Sequence, residues 1–393
     1  MKTQSKIYFV SYFLYNFARA LPHSILTIIL INKGMSISDI AFIQSFYMLA
    51  MLLFEFPSGI LTDIWSEKRM YLVSLLLLVI SFFIIFISES VIMLSISWFI
   101  YGISTASMSG SLESYFIRSY KNNEYKIKLF NISLNNVNLY SALIAGGVGS
   151  FIYAYCSNKI YLISTFLIFI SFFITLFFFK ERNGDKVLKN FDKNLNLKDI
   201  FSKLKNVADR SIYADIFLIS IYQLIAQTFY QFWQVIFLIA ALPPKLFGIF
   251  YVSFQLVSLV SNFIFKHIKI SKLREILIVI MSALFFGAIN IAETNKFLFV
   301  LFILLFLIPF DLYYHQLMVD IYKKSDTSIV GSIISFSGTM SSIVSIIFLW
   351  LFAELNKHFS LSLITQVSII SYVVFSFLTI FITKNRKIII KNE

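Results

Sequence analysis

The residues of this chain that could do chemistry are few, and most sit inside apolar stretches. Arg19 and His23 are four residues apart, as are Asp311 and His315, so in a helix each pair shares one face. Asp311 and His315 could pass a proton between them or simply satisfy each other as a fixed hydrogen bond. Gln223, Gln227 and Gln231, with Gln234 close by, form a polar stripe that suits either a hydrated wall or hydrogen bonding between helices. Glu55 and Glu113 complete the set of carboxylates in apolar surroundings, with capping or snorkelling as the plainer role of Glu113. Arg19 could pair with an acidic neighbour or touch a ligand directly. A membrane transferase built on His23 or His315 and a nearby acid is the enzymatic alternative, but only the Asp311/His315 pair resembles an acid–base constellation. The single cysteine, Cys156, cannot form an intrachain disulfide and has no companions of a metal site. No Gly-x-x-x-x-Gly-Lys-Ser/Thr phosphate loop is present, so ATP is not the direct driver, and neither metal nor cofactor is expected.

The elements that must hold these residues are membrane helices. Of 393 residues 59% are hydrophobic and 13% charged, 46 are Phe, and the mean hydropathy is +0.82, far from the roughly 25% charged residues of a soluble domain. Apolar runs at 7–31, 38–61, 70–88, 91–117, 129–156, 160–179, 212–239, 246–265, 276–291, 297–320, 330–352 and 361–382 are each long enough, or nearly so, to span a bilayer as a helix. The first run continues too far, and lacks a small-x-small site, to be a cleaved signal peptide. The chain is therefore expected to be all-α and to cross the membrane twelve times.

Net charge is +13, which in such a chain reports orientation before it reports nucleic acid. Alternate gaps hold 27 and 5 of the Lys and Arg residues, with Arg19 lying within a span. That bias puts both termini in the cytoplasm. The longest hydrophilic stretch divides the chain into halves at 1–179 and 212–393 joined by a linker, 180–211. Within it Leu197, Ile200, Phe201, Leu204 and Val207 recur at helical spacing among lysines, as in a helix lying on an anionic membrane surface or packed on the bundle.

Residues 55–69, running from Glu55 through Pro57, Gly59, Leu61, Asp63, Lys68 and Arg69, resemble the loop signature of the major facilitator superfamily, Gly-x-Leu-x-Asp-Arg-x-Gly-Arg-Lys-x. Ile64 stands for the usual Arg and Ser66 for the usual Gly. Gly102, Ser109-Gly110-Ser111 and Glu113 are similar to the Ser-Gly-x-x-Glu segment of many bacterial members. The fifth run carries Gly146-Gly147-Val148-Gly149 without the Gly-Pro pair of drug:proton antiporters, and 266–274 holds no second copy of the loop signature. The resemblance implies two six-helix halves with a midplane cavity, the first helix of each three-helix repeat lining it. It also implies that Gly59, Asp63, Lys68 and Arg69 latch the cytoplasmic gate, Gly59 by allowing close helix approach.

The expectation is then a monomeric secondary transporter of the plasma membrane, rocking its halves around a small molecule and driven by protons. Arg19, His23, Glu113, Gln223, Gln227 and Gln231 are the cavity candidates, and Asp311, His315, Glu55 and Glu113 the coupling candidates. Export of an amphipathic or cationic compound fits the carboxylates and aromatics. Uptake, or carriage of a sugar, peptide or lipid, is the alternative within the same class, and Arg19 would equally suit an anion.

Overall fold

The computed structural model describes residues 2–109, 111–120, 123–181, 210–268, 273–325 and 330–392, with the side chains at 2, 56, 60, 63, 64, 124, 210, 330–332 and 385–392 outside the description. Fourteen α-helices occur among them: α1 (Lys2–His23), α2 (Leu26–Asn32), α3 (Ile37–Ile64), α4 (Glu67–Ile87), α5 (Val91–Met108), α6 (Leu112–Ser119), α7 (Glu124–Cys156), α8 (Ile160–Phe178), α9 (Arg210–Ile239), α10 (Phe247–His267), α11 (Arg274–Ile291), α12 (Lys296–Lys324), α13 (Val330–Leu355) and α14 (Leu361–Asn392). Ten apolar runs are long enough to cross a membrane, and the pair α1–α2, bent by 53°, makes an eleventh. One run, Tyr125–Phe178, contains both α7 and α8, so the helices supply the twelve crossings read from the sequence. The linker segment at 197–207 lies outside the described residues.

Local chemistry sets the boundaries. Pro22, which cannot donate a backbone hydrogen bond, sits in the last turn of α1 and the helix breaks directly after it. Gly34 takes φ +83, and Ser36 then opens α3 with a reciprocal capping box, its Oγ accepting from the Asp39 N–H at 3.1 Å while Asp39 Oδ2 accepts from the Ser36 N–H at 3.0 Å. Ser66, Asn123 and Asn295 cap α4, α7 and α12 by the simpler one-way bond, their side chains accepting from the N–H groups of Arg69, Lys126 and Leu298. The fourth span differs from expectation. It ends at Met108, and the serines at 109 and 111 turn the chain into the separate short helix α6, with Glu113 in its first turn. A carboxylate there meets the unpaired N–H groups of a helix start, which favours a break over continuation.

Two compact units emerge. The first holds the described residues up to 181 together with 243–252, and the second holds 210–242 and everything from 253 onward. In the first, α1 packs on α7 and α8, and α4 packs on α5 and α8. In the second, α9 packs on α13 and α14, and α11 on α12 and α14, so the two units repeat one packing pattern. Lipid-like solvent removes the usual hydrophobic drive between helices, and small hydroxyls provide much of the contact instead. Ser11 of α1 bonds to Ser171 and Thr175 of α8 at 2.7 Å each and to the Tyr71 hydroxyl of α4 at 3.0 Å, all buried. Gly102 brings α5 against α3 so closely that a Cβ there would lie 2.6 Å from Ala50 Cβ and from the Tyr47 carbonyl. Outward faces carry bare apolar residues such as Phe166, Phe263 and Phe297, which a hydrocarbon surround accommodates.

Candidate functional site

In the first unit the polar centre is Arg19. Its Nε donates to the Tyr101 hydroxyl at 3.0 Å and its Nη1 to the Tyr15 hydroxyl at 3.1 Å, with Cζ 5.3 Å from the Tyr15 ring centre and 5.6 Å from that of Tyr101. His23, one turn along α1, places Nε2 3.4 Å from the same Tyr101 oxygen, and Tyr47 of α3 packs edge-on against Tyr101 at 5.2 Å. The i, i+4 face of Arg19 and His23 is thus the helical face expected. No carboxylate among the described residues pairs with Arg19, so the ion-pair role open to it in the sequence is not the one observed. The tyrosines around it were not singled out, although Tyr15 shares the i, i+4 register with Arg19 and that spacing was readable.

The loop-signature residues do several different things. Lys68 caps a neighbouring helix, its Nζ donating to the carbonyls of Leu176 at 2.9 Å and Phe179 at 2.6 Å at the end of α8, while its own N–H donates to Glu181 Oε1 at 2.8 Å. A cation at a helix C-terminus answers both the free carbonyls and the dipole. Glu67 pairs with Arg118 of α6, and the Arg69 N–H is held by Ser66 Oγ, its side chain remaining exposed. Gly59 departs from expectation, since an added Cβ would meet no atom within 4 Å, and the close approach between helices occurs at Gly102 instead. The Asp63 backbone lies in the last turn of α3 and its side chain is outside the described ones. Glu55 is exposed on α3. Lys33 is 6% exposed and donates from Nζ to the carbonyls of Phe86 and Ser88 at 3.1 and 2.9 Å, capping α4. Burial pushes its ammonium below the usual lysine range, and Glu89 pulls it back.

In the second unit the glutamines form a ladder along α9. Gln231 Nε2 donates to Gln227 Oε1 at 2.9 Å, Gln227 Nε2 to Gln223 Oε1 at 3.2 Å, and Ser345 of α13 joins through contacts of 3.2 Å to Gln227 and 3.4 Å to Gln223. The stripe therefore also ties α9 to α13. Trp233 is buried between Phe237 and Phe254, because its face of α9 turns inward. Asp311 of α12 meets the Ser258 hydroxyl of α10. No hydrogen bond joins it to His315, whose ring packs on Phe265 at 5.4 Å, so the spacing provides the shared face without the contact. A rotamer difference is enough to separate an i, i+4 pair.

One cluster was missed. Asp215 of α9, almost wholly buried, receives Arg274 Nη2 at 2.9 Å and the Lys324 ammonium, while Arg274 Nη1 reaches Asp320 Oδ2 at 3.3 Å and Gln316 Nε2 donates to Asp320 Oδ1 at 2.7 Å. Asp215, Arg274 and Lys324 border a cavity of about 430 Å³ with Ser211, Glu275 and Lys384. In the sequence they stand at span ends, where charges read as orientation signals, and only Asp215, an acid in an otherwise basic flank, hinted at pairing.

Long apolar helices in two similarly packed units, with polar side chains set into their first helices, define a multi-pass membrane protein with a transporter fold. The family model of the Major Facilitator Superfamily matches residues 8–386, and the chain belongs to that superfamily. Among solved structures, a nucleoside transporter, NupG, aligns with a TM-score of 0.78 at 16% identity, covering 98% of this chain and 100% of its own. A D-xylose-proton symporter aligns at 0.71 and 12% identity (95% and 96% covered), and the POT family transporter PepTSo at 0.74 and 10% identity (98% of each). At such identities the likeness establishes the fold. No curated protein matches in sequence. The protein is a transporter rather than an enzyme.

Proposed function

We propose that the chain is a proton-coupled secondary transporter that exports a small amphipathic molecule by alternating access between its halves, 1–179 and 212–393, joined by the linker 180–211. Both termini and the linker face the cytoplasm, the plasma membrane is the site of action, and the monomer is the working unit. The observation that carries the coupling is Asp311: a carboxyl in the middle of α12 whose partner is the Ser258 hydroxyl and not a fixed cation. An ionised carboxylate in a spanning helix costs about 2.5–3.5 kcal/mol or more unless protein or water compensates, so water reaching or leaving Asp311 during rocking would change its affinity for a proton. A proton-coupled neighbour of the same fold, the D-xylose-proton symporter, supports that chemistry on this scaffold. His315, Glu55 and Glu113 are the reserve candidates. The outward direction rests on the carboxylates and aromatics set in an apolar frame, and the gate role of Gly59, Asp63, Lys68 and Arg69 on the resemblance of residues 55–69 to the superfamily's loop signature. The glutamine ladder offers donors and acceptors to a cargo on the side of the second unit.

Purified protein in sealed vesicles, tested against a chemically broad panel under an imposed pH gradient of either sign, reads coupling and direction together. The expected result is proton-driven accumulation that Asp311→Asn abolishes while substrate exchange continues. Accumulation by Asp311→Asn with an unchanged pH dependence assigns coupling elsewhere, and accumulation only with the gradient reversed favours uptake.

A further inference from the structure

Building on that transport reading, we infer that Arg19 is an oxyanion-binding site and that the cargo is an amphipathic organic acid, carrying a carboxylate or phosphate-type group on an apolar body. The guanidinium lies within a spanning helix and, among the described residues, has no acidic partner. Of its five N–H groups, the one on Nε and one on Nη1 are used by tyrosine hydroxyls; the second on Nη1 and both on Nη2 are left, and they lie in the plane that matches a bidentate oxyanion. Lysine in the same place would be a point charge, whereas Arg is suited to this forked geometry. Tyr15 and Tyr101 are nearly fully buried, 1% and 6% exposed, and fix the guanidinium against two ring faces, while Arg19 itself is only half-buried. Two tyrosines thus fix the cation, and part of the residue's surface remains accessible. Because both hydroxyl oxygens accept from Arg19, their own protons are directed elsewhere, and that of Tyr15 is available to a second anion oxygen. Tyr47, packed on Tyr101, extends the aromatic surface that would receive the apolar body.

A cation would be repelled at this point, and a neutral molecule would leave the charge uncompensated. An acid compensates it and is released again when water enters, because among the described residues Arg19 is the only permanent charge in the cluster. The arrangement therefore selects for charge sign first and shape second.

The test uses the full-length protein in detergent and follows thermal unfolding with millimolar phenylacetate, benzylphosphonate, phenylacetamide and phenethylamine. The two acids should raise the unfolding temperature, and the amide and the amine should not; a larger effect of one acid tells carboxylate from phosphonate. Arg19→Gln should weaken the effective acid by roughly ten- to a hundredfold, the loss of charge-assisted hydrogen bonds. Arg19→Lys should retain part of the effect, and Tyr15→Phe should reduce it, which covers the case of a glutamine variant that does not fold. Equal responses to acid and amine, no response to either acid, or full response in the Arg19 variants overturns the site. Vesicle flux separates this from the transport reading: acid binding that depends on Arg19 without any flux keeps the site and removes the transporter, and flux indifferent to Arg19 does the reverse.

Discussion

Arg274 Nη1 lies 3.3 Å from Asp320 Oδ2, joining the first turn of α11 to the last turns of α12. At the corresponding place in the first unit, Glu67 of α4 pairs with Arg118 of α6, the same tie with its charges exchanged. The repeat therefore preserves the link and not the sign.

The two ties differ in burial, and their removal should differ accordingly. Arg274 is 19% exposed and its partner Asp215 only 2%, so Arg274→Ala leaves the buried acid to Lys324 alone and should cost up to about 3–5 kcal/mol. Arg118 is 42% exposed, and Arg118→Ala should cost less than about 1 kcal/mol. Thermal unfolding in one detergent compares them. Similar losses would mean that Lys324 already satisfies Asp215 alone.

Lys68 should matter to stability as well as to any gate. Lys68→Met removes the cap on α8 and should lower stability by roughly 1–2 kcal/mol, whereas Arg69→Met, at an exposed side chain, should change it by under about 0.5 kcal/mol. Unfolding curves and vesicle flux on the same preparations separate the roles. A Lys68→Met protein of normal stability and poor flux would make gating its main job.

Gly102 and Gly59 should part company in the same assay. Gly102→Ala presses on Ala50 and on the Tyr47 backbone, for a cost of about 1–3 kcal/mol. Gly59→Ala meets open space in a helix, where alanine is favoured by up to about 1 kcal/mol. If Gly59→Ala leaves stability intact and stops flux, the glycine serves a second conformation in which helices close there.

Orientation can be read with two exposed lysines in a Cys156→Ser background, Lys126 before the fifth span's apolar core and Lys159 after it. A membrane-impermeant thiol reagent added to intact cells should label Lys159→Cys and spare Lys126→Cys. The opposite pattern inverts the protein.

Much of this molecule was determined by its sequence alone. Crossing number and the placement of Arg19, Asp311 and the glutamines within spanning helices follow from runs of apolar residues, because a bilayer imposes one length scale and one penalty at every position. Caps at Ser36 and Asn295 were equally local. Partners were another matter. That Lys33 and Lys68 close the ends of α4 and α8, that Asp215 collects Arg274 and Lys324, that Asp311 turns to Ser258 instead of His315, and that Arg19 is caged by tyrosines with no acid beside it among the described residues were decided by tertiary structure. Each depends on which helix faces which across separations of tens to more than a hundred residues, and on a rotamer choice at the end. Periodicity within one helix carries the face a residue occupies, but the charge or hydroxyl waiting opposite that face is supplied by another helix.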